Sequence, residues 1–350
     1  MTNSGEERRT DGSGQEPAIA PDRVPLALLP TPLVPLPRLS EHLGGPPIWM
    51  KRDDLTGLAL GGNKARKLEY LLAEALRAGA DTLITAGGPQ SNHVVQTAAA
   101  AARHGLACHV VLGGKRPGLV EGNLLLDLLH GAHLHWTDEG PPFTASLDAL
   151  QAELMATSAR PHLIPFGGSS ATGALGFERA AEELAGQMTA ARETGVTVVV
   201  ASGSGGTQAG LVRGGRTAWA PGSRTIGISV LHPAGTLRGI VGRLLSEAGG
   251  PASLADDLAD DIDVRDEYLG GGYGVVSPLE VDAIRLVARL EGVVLDPVYT
   301  GRAMGGLLDL IRTGRVDSTR PLVFWHTGGQ GGLFGKTSDL NDHIPLTETQ

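Results

Sequence analysis

Short runs that are apolar at every position recur along the chain and alternate with longer stretches in which apolar residues return every three or four positions. The first kind, TLITAG (82–87), CHVVLG (108–113), TVVVASG (197–203), RTIGIS (224–229) and PLVFWHTG (321–328), predicts strands buried on both faces. The second kind predicts helices over 65–78, 91–104, 121–130, 143–157, 172–193, 207–219, 234–248, 278–291 and 302–313. This alternation predicts an α/β protein whose parallel sheets are covered by helices, and 350 residues leave room for two such sheets. A ligand then belongs in the crevice at the carboxyl ends of the strands, where loops meet helix N-termini. Residues 1 to about 25 are polar and carry no periodicity; they predict a disordered tail, with the fold beginning near Leu26.

Composition narrows the function. Hydrophobic residues at 41% and charged residues at 19% describe an ordinary globular chain, and a formal charge of −9 (29 basic against 38 acidic residues) argues against nucleic acid as the partner. The single cysteine, Cys108, sits in an apolar strand run and excludes a disulfide framework or a cysteine-rich metal site. No stretch of ~18 apolar residues is present and the N-terminus lacks a signal-peptide pattern, so a cytoplasmic protein without membrane contact is expected. The acidic patch Asp256, Asp257, Asp260, Asp261 and Asp263 is irregularly spaced and reads as a solvated loop, and the histidines of HGAHLHW (130–136) read as structural; no metal site is expected. Glycine is in excess, with 51 residues clustered beside Ser, Thr and Asn, which suggests backbone that approaches a ligand.

Six segments carry candidate chemistry. In GGNKARKLEYL (61–71) Lys64 follows a Gly-Gly-Asn turn at a helix start, where the positive end of the helix favours a neutral, nucleophilic amine suited to a Schiff base. SGSGGTQAG (202–210) follows a strand and opens a helix, aiming backbone N–H groups and the Ser204 and Thr207 hydroxyls at one anion; it fits neither a P-loop nor GxGxxG. QSNH (90–93) crowds Ser91, Asn92 and His93 onto another helix N-terminus, where a carboxylate could be received, although capping alone would account for Ser91. Tyr273 in GGGYG and Tyr299 in DPVYTG stand in small-residue loops, suited to acid–base work or to simple packing. Thr327 ends the strand FWHTGG, where a neutral hydroxyl can bond a ring nitrogen.

In order and spacing GGNKARKLEYL, QSNH, GSGGTQAG and DPVYTG resemble the family that contains 1-aminocyclopropane-1-carboxylate (ACC) deaminase and D-cysteine desulfhydrase, within the tryptophan synthase β-like, fold type II enzymes of pyridoxal 5'-phosphate. The resemblance runs from about Leu29 to Phe334. It implies that Lys64 carries the cofactor, that Asn92 bonds its phenolic oxygen, and that Lys67 with Gly203, Ser204, Gly205, Gly206 and Thr207 holds its phosphate. Ser91, Asn92 and His93 would then meet the substrate carboxylate, Tyr273 and Tyr299 would line the pocket, and Lys64, Ser91, Tyr273 and Tyr299 would be the catalytic set. A small domain at 67–176 is implied within a larger one formed by 26–66 and 177–350, as is a homodimer.

Within the family the deaminase branch has Glu after the DPVY tyrosine and Gln after QSN, where this chain has Thr300 and His93. With neutral Thr300 and Thr327 at the pyridine ring the cofactor would be a weaker electron sink, sufficient where Cβ bears a good leaving group. The resemblance therefore implies α,β-elimination from a small amino acid, D-cysteine foremost, giving pyruvate, ammonia and sulfide. ACC ring opening, loss of sulfite from L-cysteate and β-replacement stand as alternatives. The Gln330-Gly331-Gly332 run departs from the bulkier residues expected there and implies an altered pocket floor.

Overall fold

A computed structural model of the protein describes residues 23–249, 258 and 260–343. Strands β1 (Leu33–Pro35), β2 (Ile48–Arg52), β3 (Thr82–Gly87), β4 (Ala107–Gly113), β5 (His133–Thr137), β6 (Pro161–Leu163), β7 (Thr197–Ser202), β8 (Arg224–Ser229), β9 (Asp263–Arg265) and β10 (Leu322–His326) build two sheets. The larger runs β1-β2-β10-β7-β8-β9 and the smaller β5-β4-β3-β6. Every pairing is parallel except β1 with β2. The smaller sheet is drawn wholly from residues 82–163, and the larger from the chain on either side of it.

The reason lies in the composition of the strands. β3, β7 and β10 are buried at every residue, so each needs helices on both faces. These are α1 (Pro37–Leu43), α2 (Lys64–Arg77), α3 (Asn92–Arg103), α4 (Gly122–Leu129), α5 (Thr144–Ala156), α6 (Ala171–Ala190), α7 (Gly206–Ala218), α8 (Ala234–Glu247), α9 (Pro278–Glu291), α10 (Thr300–Arg312), α11 (Gln330–Phe334) and α12 (Thr337–Asn341). Met50, Val199, Ile226, Ile228 and Phe324 face α9 and α10 on one side of the larger sheet, while Val198, Val200, Val323 and Trp325 pack on Phe177 and Leu184 of α6 on the other. Helix α9 shows how sharply local chemistry can set a boundary. Ser277 and Glu280 form a reciprocal capping box, Pro278 occupies the first turn, and Gly292 ends the helix at φ +67.

Two expectations change here. Arg23 and Val24 are docked, not part of a tail, because buried Glu69 draws them in: Arg23 pairs with its carboxylate, and the Leu26 and Ala27 N–H groups donate to its Oε1. In the acidic patch Asp263 belongs to strand β9 and bonds Arg265, and Asp261 pairs with Arg216. Asp256, Asp257 and residues 1–22 lie outside the described residues. No helix among those described is long and apolar enough to cross a membrane.

Candidate active site

The carboxyl ends of β3, β4, β7 and β10 converge on a cavity of about 350 Å³. It brings together Lys64, Ser91, Asn92, His93, Gly203, Ser204, Gly205, Thr207, Tyr273, Tyr299 and Thr327, which are far apart in sequence. Lys64 begins α2, with its Nζ 3.3 Å from Gly167 O. Desolvation by the surrounding wall lowers its pKa to about 8. Lys67, one turn on, is held well below the ordinary lysine value by burial and then by Lys64. Its Nζ donates to Gly167 O and Ser169 Oγ, each at 3.2 Å.

Beside these lysines stands the N-terminus of α7. Gly205 caps it at φ +81, a left-handed conformation that favours glycine, and a Cβ there would also crowd Ile240 at 3.0 Å. Ser204 Oγ lies 2.8 Å from Ser169 Oγ, and Ser169 also accepts the Gly206 N–H. Thr207 Oγ1 accepts from Asn63, which leaves its hydroxyl hydrogen for another partner. On the opposite wall Ser91 caps α3, accepting from the Val94 N–H. His93 is kept neutral, chiefly by burial and then by Lys64 and Lys67. Because Thr85 spends its only hydroxyl hydrogen on Ile164 O, His93 Nε2 must donate to Thr85 Oγ1, and Nδ1 keeps an unpartnered lone pair.

The two tyrosines meet directly, with their hydroxyl oxygens 2.6 Å apart. Two buried devices hold them. Arg302, paired with Glu280, donates to the carbonyls of Gly272 and Val275 and so anchors the Tyr273 loop. Asp296 accepts the N–H groups of Val298, Tyr299 and Thr300 and fixes the turn that presents Tyr299. Burial, then Tyr273, raises the Tyr299 pKa, so this phenol stays protonated.

Three expected site residues lie elsewhere. Thr300 is fully buried outside the cavity lining, its hydroxyl donating to Asp296 Oδ1 at 2.8 Å, because it already belongs to the first turn of α10. Thr327, at the end of β10, does line the wall. Lys67 and Gly206 stand behind the lining, on Ser169. Ser169 and Asn63 were not singled out by sequence, although FGGSS (166–170) is one more Gly-Gly-Ser run and Asn63 belongs to GGNK. Gly331 and Gly332 do not line the cavity either; they pack near Asn123 of α4.

The family model of pyridoxal-phosphate dependent enzymes matches residues 24–328. The D-cysteine desulfhydrases of Klebsiella pneumoniae (strain 342) and Salmonella choleraesuis (strain SC-B67) are 46% and 45% identical over 318 residues, covering 89% of this chain and 95% of theirs. The chain belongs to the pyridoxal-phosphate-dependent enzymes. A crystal structure of an ACC deaminase homologue is similar in fold type II architecture, with a TM-score of 0.82 and 37% identity over 92% of this chain and 96% of that one.

The cavity itself fits pyridoxal phosphate. Neither Lys64 nor Lys67 forms an ion pair among the described residues, and both are desolvated, so Lys64 is kept available as an amine for an aldehyde and Lys67 lacks the counter-charge that a phosphate dianion would bring. Ser202, also in the wall, has a buried hydroxyl without a partner. The one carboxylate in the lining, Glu139, has its oxygens engaged by Ser146 and the Ala145 N–H.

Proposed function

We propose that the enzyme catalyses α,β-elimination on D-cysteine: D-cysteine plus water gives pyruvate, ammonia and hydrogen sulfide. Identity of 45–46% to D-cysteine desulfhydrases across 95% of their length carries the substrate assignment. Thr327 at the end of β10 supports it, because a neutral hydroxyl is the polar group that this strand offers the cavity.

The bound cofactor supplies an electron sink for the bond to Cα. Lys64 would attach it, Lys67, Ser204, Thr207, Ser169 and the N–H groups of the 203–207 loop would hold its phosphate at the positive end of α7, Asn92 would serve its phenolic oxygen and Thr327 its ring nitrogen. Ser91 and the α3 N-terminus take the substrate carboxylate, with His93 neutral beside it. Lys64 Nζ, its basicity already lowered towards neutral pH, takes the α-proton and can return it. Tyr299, kept protonated and oriented by Tyr273, gives its proton to the departing sulfur. Phe143 and Phe166 close apolar surface over the same space and limit water.

We further propose that residues 67–176, which hold the whole smaller sheet, form a small domain beside the larger one, and that the enzyme is a cytoplasmic homodimer. The exposed leucines Leu125, Leu128 and Leu129 of α4, with Phe334 of α11, give a face suited to self-association. The test of function is an assay of D-cysteine, L-cysteine, L-cysteate and ACC that follows sulfide, ammonia and keto acid. Sulfide and pyruvate from D-cysteine alone support the reading; 2-oxobutanoate from ACC would replace it with ring opening.

A further inference from the structure

The amide of Asn92 could face the cavity with either end, and only one end donates a proton. The structure assigns that choice to Asn123, a buried residue of α4 outside the cavity lining: we infer that Asn123 is a positioning residue that turns the Asn92 N–H₂ towards the cofactor. The inference rests on the cofactor reading above and extends it to a residue that touches neither cofactor nor substrate.

Asn123 Nδ2 lies 2.9 Å from Gln90 O, a main-chain carbonyl that can only accept, so the amide orientation of Asn123 is decided. The same Nδ2 lies 2.7 Å from Asn92, and a group whose second hydrogen is spent there requires an acceptor; that atom is Asn92 Oδ1. Asn92 is left with Nδ2, a donor, for the cavity that it lines. Gln90 closes the lock from the other side: its Oε1 accepts the Asn123 N–H at 2.8 Å and its Nε2 donates to Glu121 O at 3.1 Å. Gln90 and Asn123 are thus tied to main-chain groups that cannot change their roles, and Asn92 is oriented through Asn123.

Room for this cluster comes from glycines. A Cβ on Gly331 would fall 2.0 Å from Asn123 Oδ1, and one on Gly335 2.3 Å from Gln90 Oε1. Gly122, at φ +58, would place a Cβ 2.4 Å from the same Gln90 oxygen. Gly331 of the Gln330-Gly331-Gly332 run, with Gly335 and Gly122, therefore leaves room for the amide cluster behind Asn92, between α4 and α11. A donor at the phenolic oxygen favours its anionic form, which lowers the pH at which the visible band of the loaded enzyme titrates.

The test compares the wild type with Asn123→Asp, Asn123→Ala, Asn92→Ala and the two double variants, each loaded with pyridoxal phosphate. A carboxylate at 123 has no hydrogen to offer at neutral pH, so it turns Asn92 around and points Oδ1 at the phenolic oxygen. The band midpoint is expected to rise by about one pH unit in Asn123→Asp, a tenfold change in proton affinity, and by less in Asn123→Ala. In the Asn92→Ala background neither substitution at 123 is expected to move it further, because a positioning residue acts through the side chain it positions. kcat should fall while the D-cysteine KM changes little, and melting of the cofactor-free proteins reports folding separately. An unmoved midpoint in folded Asn123→Asp or Asn123→Ala, or an equal shift with and without Asn92, would overturn the assignment to Asn123 and leave the cofactor site standing. A wild type that develops no visible band with pyridoxal phosphate would overturn the site reading, and this inference with it.

Discussion

Helix α2 carries two kinds of buried cation. Arg66 is enclosed by Asp53, Glu183 and Thr31, all within 3.0 Å, and Glu183 also binds Lys51 from β2. Burial works against the charge on Arg66, and Asp53 with Glu183 more than reverses the effect. Lys64 and Lys67 lie on the same helix, Lys67 as enclosed as Arg66 and Lys64 half-buried at the cavity wall, and have only a carbonyl and a serine hydroxyl for partners. A cation that serves the fold is neutralised within the fold. A cation that serves a ligand is left short of charge until the ligand arrives, and this shortfall is the clearest mark of the active site.

The contrast can be broken most severely at Lys64. Lys64→Ala should lower D-cysteine turnover by at least about a thousandfold, yet the cofactor-free protein should melt no lower than wild type, since a desolvated amine has been removed. Steady-state assay and thermal melting check the two halves. Asp53→Ala should do the reverse: removing one partner of a buried ion pair costs roughly 3–5 kcal/mol, visible in denaturant unfolding, while the absorbance of the loaded enzyme stays as it was. Lys67→Met should weaken cofactor binding roughly ten- to a hundredfold through loss of a charged contact to phosphate, without destabilising the empty protein; titration with pyridoxal phosphate measures it.

A subtler effect is expected from pH. Lys64 loses its proton near pH 8 in the folded empty protein and near 10.5 in the unfolded chain. Between these values the unfolded chain holds more protons, so the lysine's penalty lifts and stability rises with pH across the window; Lys64→Met should flatten that rise in melts of the cofactor-free protein. Smallest of all, Thr300→Val should cost about 1 kcal/mol through its bond to Asp296. Substrate preference should not change, because Thr300 does not reach the cavity.

What the sequence made legible follows from the physics of each segment. RTIGIS and TLITAG are strands over the residues predicted, because a strand covered on both faces must be apolar throughout. Strands β1, β2, β5, β6 and β9 escaped notice, β1 because LVP is only three residues long. IWMKR (48–52) and HLHWT (133–137) mix polar with apolar positions, and PHL and DVR are too short to carry a period. The glycine-rich loops marked the cavity well, since backbone that approaches a ligand advertises itself in composition. Thr300 misled because its chain neighbour Tyr299 lines the wall, and adjacent residues at a helix start point in different directions. Ser169 and Asn63 stand in glycine runs like the others but, like Asn123, are assigned a role only by the groups opposite them in space.

The central claim is that Lys64 is the amine left for the cofactor. Its most direct test is borohydride reduction of the protein loaded with pyridoxal phosphate, followed by digestion and mass mapping. The account predicts one modified peptide, with the added pyridoxyl phosphate mass on Lys64. Attachment at Lys67 or Lys51 in its place, or none at all in a protein that binds the cofactor, would contradict it.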